Sequence, residues 1–215
     1  LGITAVEVMP VSEFPGRFGW GYDGVFPYAP TRLYGTPDEF RTFVDAAHGL
    51  GLGVILDVVY NHLGPSGCVH REFAPAYFTR QYDNEWGDAL NFDGPDAGPV
   101  RDYFIGNAGY WIEEFHLDGL RLDAVHSIHD RSPEPIVAAV SRRAREAAGD
   151  RGILIIVENE RQDTDLLRAR HETGAGPSTR LGAGADAAWN DDFHHSAAVA
   201  LIGRREAYYS DHRGT

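Results

Sequence analysis

Cysteine is almost missing from this 215-residue chain, with Cys68 alone. One thiol excludes an internal disulfide framework and suits a reducing compartment, so Cys68 reads as structural and a cytoplasmic location is expected. Positive charge is also scarce: 19 Lys plus Arg face 32 Asp plus Glu, a formal net charge of −13. That sign repels polyanions, and no nucleic-acid partner is expected. No apolar run approaches the roughly 20 residues of a membrane span, and no signal peptide is visible, so no membrane partner is expected. Internal repeats and low-complexity tracts are lacking too. The chain opens on Leu1 inside an apolar pattern, without an initiator Met, and reads as a piece of something longer.

What is present is a globular composition, 43% hydrophobic and 12% aromatic, enough for one domain with its own core. Apolar runs recur with helical patterns between them. "ITAVEVMPV" (3–11) reads as a strand, followed by the Gly-rich loop "FPGRFGWGYDG" (14–24). Thr36, Pro37 and Glu39 form a capping-box start for a helix carrying Phe40, Phe43, Val44, Ala47 and Leu50, closed by Gly51. "GVILDVVY" (53–60) is short and β-branched, as expected of a strand buried on both faces. Residues 62–98 break the rhythm with Pro65, Pro75, Pro95 and many aromatics, and read as an ordered insertion. A helix over about 99–115, the strand of "GLRLDA" and a helix capped by Ser132 with Pro133 follow. Then come the strand "ILIIV" (153–157), a short helix near 163–171, a Gly-rich loop (174–184) and a brief strand at 187–190. Alternating strands and helices predict parallel βα units.

Three of these strands end in an acid: Asp57 in "VILDVVYNH", Asp123 in "GLRLDAVH" and Glu158 in "LIIVENE". Parallel strands present their C-terminal ends on one face, so the three acids converge on one mouth. Crowded carboxylates raise one another's pKa, which lets one stay protonated while another is ionised. Glycoside hydrolysis uses such a set, one carboxylate attacking and one acid protonating the leaving oxygen. Arg121 shares a face with Asp123 by strand alternation and keeps it charged. His62, beside Asn61, faces the same mouth. Trp20 and Tyr22 read either as loop anchors or as stacking platforms for sugars. "NDDFHH" (190–195) has the density of acids and imidazoles of a metal site; with no Cys close by and two adjacent His pointing apart, sugar hydroxyls are the better reading. No metal and no cofactor are expected.

"DVVYNH", "GLRLDAVH" and the Glu after "LIIV" resemble successive signature regions of the alpha-amylase family, glycoside hydrolase family 13. The resemblance implies a retaining enzyme on a (β/α)8 TIM barrel. The chain would be an interior fragment of that barrel, about strands 2 to 6, with residues 1–215 a partial catalytic domain and 62–98 an insertion after the third strand. It implies Asp123 as nucleophile and Glu158 as general acid/base; Glu160 shares the face of Glu158, and only the motif selects between them. Asp57, His62, Arg121 and His126 would line the sugar site and Tyr22 would stack beneath the ring. Within the family, "MPVSEFPGRFGWGYDG", "LNFDGP", "VENERQD" and "WNDDFHH" resemble members that cut the α-1,4 bond next to the trehalose end of maltooligosyltrehalose. That likeness makes Asn190, Asp191, Asp192, His194 and His195 substrate contacts, and an α-1,4-glucan the partner; the sequence sets no oligomeric state. The alternatives are a glucan branching enzyme, which usually shows a Glu-Glu-Ser-Thr type sequence where this chain has "VENERQ", and a glucan-binding protein without catalysis. The family's third catalytic Asp, the transition-state stabiliser, has no matching motif here.

Overall fold

In a computed structural model of the chain, residues 2–160, 163–168, 182–204 and 206–211 are described. Among the described residues nine strands appear in chain order: β1 (Ala5–Val8), β2 (Ser12–Glu13), β3 (Phe26–Pro30), β4 (Gly53–Val58), β5 (Phe78–Thr79), β6 (Ala89–Leu90), β7 (Gly119–Leu122), β8 (Leu154–Glu158) and β9 (Ala187–Trp189). The helices are α1 (Pro37–Gly49), the single turn α2 (His70–Phe73), α3 (Ala97–Glu114), α4 (Ile136–Ala148) and α5 (Asp191–Ile202). Five strands form one sheet in the order β1-β4-β7-β8-β9, each pair parallel. The parallel pairs bear out the βα rhythm, and neighbours in sequence order fit part of the (β/α)8 barrel that the resemblance implies.

The sheet's two faces differ in chemistry. Val54, Leu56, Val58, Leu120, Leu122, Ile155 and Val157 join the core with Val44, Phe104, Trp111, Ile112 and Val140 of the helices. The alternate positions, Ile55, Asp57, Arg121, Ile156 and Glu158, lie on the opposite face. One buried polar knot interrupts the core and is fully partnered: Asn107 Oδ1 accepts from Tyr60 (2.6 Å) and Trp111 Nε1 (3.1 Å), while its Nδ2 donates to the Pro27 carbonyl (3.0 Å).

The start of α1 follows the expected capping box. Thr36 Oγ1 accepts from the Glu39 N–H (3.3 Å), and Glu39 returns a carboxylate to the Thr36 N–H (2.7 Å). Gly51, at φ +73°, closes the helix in the left-handed region. Two boundaries depart from expectation. The first strand stops at Val8, because Pro10 has no N–H for the ladder; Ser12–Glu13 pairs instead with β3. Helix α4 starts at Ile136, and Ser132 is not its cap. Asp130 does that work, its Oδ2 accepting from the Ile136 N–H at 2.6 Å, while Ser132 Oγ donates to the Phe92 carbonyl at 3.3 Å.

Between β4 and α3 lie α2 and the β5–β6 ladder, packed through a ring cluster. His70 sits within it, 5.3 Å from Tyr77, 5.5 Å from Phe73, 5.9 Å from Tyr103 and 6.0 Å from Phe26. The helix expected near 163–171 appears as a 3-10 turn at Thr164–Leu167. Its residues 169–171, and most of the Gly-rich loop 174–184, fall outside the described residues, as do Arg161 and Gln162 of "VENERQD". Among the described residues no helix is long and apolar enough to cross a membrane.

Candidate active site

The strand register assembles the site. Asp57 and Arg121 are partners on neighbouring strands, and Glu158 is the partner of Trp189. Asp123 follows β7 directly, its N–H still donating to the Val58 carbonyl at 3.0 Å. Side chains from three strand ends therefore meet at one end of the sheet.

Arg121 is the hub. Its Nη1 contacts Asp57 Oδ2 (2.6 Å) and Asp123 Oδ1 (3.0 Å), and its Nη2 contacts Glu158 Oε2 (2.9 Å). The Trp189 ring lies 4.7 Å from the guanidinium carbon, a cation–π contact that completes its enclosure. Side-chain exposure rises from 3% at Asp57 through 14% at Asp123 to 27% at Glu158. That gradient gives the acids different work: Asp57 is walled in, and the other two reach toward solvent.

Burial pushes the Asp57 carboxyl above its ordinary range, and Asp123 adds to the effect; Arg121 and Tyr22 pull the other way. Tyr22 donates its hydroxyl to Asp57 Oδ2 at 2.8 Å, and burial together with that bond raises its phenol. Gly21 makes this reach possible. It sits at φ +93°, and a Cβ there would come within 1.9 Å of the Pro10 carbonyl oxygen. Three buried polar atoms of the site have no hydrogen-bond partner among the described residues: Asp57 Oδ1, Arg121 Nε and His126 Nδ1.

His62 donates from Nε2 to the Tyr22 carbonyl (2.9 Å), and its Nδ1 lies against Asn61 Oδ1. Burial lowers its imidazole below the ordinary value, partly countered by the Tyr22 carbonyl. The Trp86 ring stacks on it at 5.7 Å. His126 Nε2 is 3.6 Å from Glu160 Oε2. Tyr22, Asp57, His62, Arg121, Asp123 and Glu158 are thus joined by direct contacts. The segment from Asn190 to His195 opens α5. Asn190 Oδ1 accepts from the Phe193 N–H (2.7 Å) and caps α5, with Asp191 and Asp192 in the first turn. His194 and His195 pack edge to face at 5.3 Å, and His195 meets Tyr209 at 5.4 Å.

Three participants escaped the sequence reading. Ala124, at φ +43°, donates its N–H to Glu158 Oε2 at 3.0 Å. Asn61 donates from Nδ2 to Asp123 Oδ2 at 2.8 Å. Glu7, whose carboxyl is raised by burial and by Asp57, faces the same side of the sheet. Only Glu7 had a visible signal, its place between Val6 and Val8 in an alternating strand.

The alpha-amylase catalytic domain model matches residues 1–105. A malto-oligosyltrehalose trehalohydrolase of Saccharolobus solfataricus is 44% identical over 98% of this chain and 35% of its own length. Another, of Arthrobacter ramosus, is 45% identical over 100% of this chain and 36% of its own. The crystal structure of a putative alpha amylase from Salmonella typhimurium superimposes with a TM-score of 0.85 at 44% identity, covering 98% of this chain and 34% of that one. The chain thus spans about a third of the length of the curated relatives it matches. With the catalytic-domain match, the full-chain relatives and a parallel sheet whose strand ends carry the acids, the chain belongs to the alpha-amylase family of glycoside hydrolases.

Proposed function

We propose that the protein carrying this chain hydrolyses the α-1,4-glucosidic bond next to the trehalose end of maltooligosyltrehalose, releasing trehalose. The observation that carries the mechanism is one guanidinium holding two carboxylates on neighbouring strand ends, Asp123 and Glu158. In this reading Asp123 attacks the anomeric carbon while Glu158 gives its proton to the departing trehalose oxygen. A covalent glycosyl-enzyme forms; Glu158 then takes a proton from water, whose oxygen displaces Asp123. Double displacement asks for carboxyls about 5–5.5 Å apart.

The supporting residues have separate tasks. Arg121 pairs with Asp123 and orients Glu158, and Tyr22, locked onto Asp57, offers a ring face to the sugar. His62, His126 and Asn190–His195 supply hydrogen bonds to hydroxyls, and residues 62–98 act as an insertion of the catalytic barrel domain that walls one side of the mouth. A cytoplasmic location fits the single cysteine. The trehalohydrolase reading is preferred to branching because relatives matched across the whole chain carry that name.

Incubating the intact protein with maltooligosyltrehalose tests the reading by its products. Free trehalose with a shortened maltooligosaccharide is expected. Rearranged glucan without free trehalose would mean branching, and binding without turnover a non-catalytic protein.

A further inference from the structure

Asn61 follows β4 by three residues and is 1% exposed. Both N–H groups of its carboxamide are engaged. Nδ2 donates to Asp123 Oδ2 (2.8 Å) and to the Asp123 carbonyl (2.9 Å), while Oδ1 lies against His62 Nδ1. Its own carbonyl accepts from Asn84 Nδ2 at 3.1 Å, and Asn84 Oδ1 accepts from the Trp86 N–H at 2.9 Å.

The consequence falls on Asp123. A carboxylate held through one oxygen still turns about a broad, roughly two-fold torsion. Here Arg121 holds Oδ1 at 3.0 Å and Asn61 holds Oδ2 at 2.8 Å, so the plane of the carboxylate is fixed from both sides. Attack on an anomeric carbon needs one lone pair aimed at it, and small errors of aim lower the rate steeply. Arg121 supplies charge as well as aim; Asn61, being neutral, supplies aim.

The geometry points to Asn61 as a positioning residue for the nucleophile, fixing the plane of the Asp123 carboxylate for attack and linking it to His62 and, through Asn84, to the 62–98 segment. This rests on the reading of Asp123 as nucleophile. Losing Asn61 leaves the Asp123–Arg121 ion pair in place, and His62 keeps its bond to the Tyr22 carbonyl. The effect therefore falls on kcat and on the rate of glycosyl-enzyme formation, with KM nearly unchanged. A purely structural tie between strand ends would lower the melting temperature and leave turnover per folded molecule alone.

The test uses the intact protein and 5-fluoro-α-maltosyl fluoride, in which Asp123 Oδ bonds to C1 and fluoride ion leaves. Mass spectrometry of the trapped wild type should find the label on the peptide containing Asp123. Asn61→Ala and the isosteric Asn61→Asp should label about 10- to 100-fold more slowly, with kcat falling in parallel and KM within about threefold. Wild-type labelling rates in either folded variant would overturn the positioning role while leaving the nucleophile in place. A label on any residue but Asp123 would overturn the nucleophile and the proposal together. A crystal structure of the trapped wild type decides the matter even where the variants fail to fold. There Asn61 Nδ2 should lie about 3 Å from the Asp123 oxygen that carries no sugar, and an Asn61 turned away from it would remove the proposal.

Discussion

One guanidinium serving three carboxylates leaves more negative charge than it cancels, and the excess must be settled by proton placement or by substrate. Asp57, the most enclosed, is the acid whose carboxyl burial pushes upward. In Asp123→Asn the shape survives and the attacking charge is lost, so kcat should fall by several orders of magnitude with the fold retained by circular dichroism. Near-normal turnover would remove Asp123 from the chemistry. Arg121→Lys should cost about 10²–10³-fold in kcat/KM, because an ammonium cannot fork to Asp57, Asp123 and Glu158 together. Turnover within tenfold of wild type would make the forked geometry dispensable. At this scale the sequence was legible wherever charge sat in an apolar strand: Arg121, Asp57 and Glu158 stand out because burial forbids them without a purpose. Asn61 and Ala124 did not stand out. An amide beside a histidine looks like any turn residue, and the Ala124 contact is made by a backbone N–H that no side chain advertises.

Helix starts illustrate which element boundaries are written locally. The cap on α1 uses Thr36 and Glu39, three residues apart, so it was readable from spacing alone. The cap on α4 comes from Asp130, six residues ahead of Ile136, with Arg101 of α3 bracing it at 2.6 Å. Tertiary packing chose it over the better-spaced Ser132. The ring cluster between β4 and α3 carries its own prediction. His70 is 7% exposed, and burial lowers its imidazole below 6.5. The unfolded chain therefore binds this proton more readily than the native one below pH 6.5. The stabilisation is complete above pH 6.5 and is lost as pH falls from there through the lowered native value. His62 acts in the same direction. His70→Phe should flatten, without abolishing, the fall in Tm on the acid side, read by thermal melts over a pH series; an unchanged slope would mean His70 is not held neutral.

For the whole molecule, all 19 basic residues are arginine, so every Lys/Arg-type ion pair is made with a guanidinium. These cations do not balance the acids, and the net charge of −13 keeps the exposed surface repulsive between copies. Against that repulsion stand two sheet edges. Among the described residues, β1 and β9 each have one neighbour in the sheet, β4 and β8 respectively, which leaves N–H and C=O groups on the other side of each without a strand partner. Neither edge carries proline within the strand, so nothing local blocks pairing. A closed barrel removes such edges by joining them to further strands. Residues 1–215 expressed alone should therefore self-associate through β1 and β9, visible by light scattering and reduced at low protein concentration. Under the proposed activity, the isolated chain should also release no trehalose in the assay applied to the intact protein. It carries Asp123 and Glu158 but no motif for the family's third Asp. A monodisperse, active monomer of 215 residues would show that five strands close and catalyse unaided.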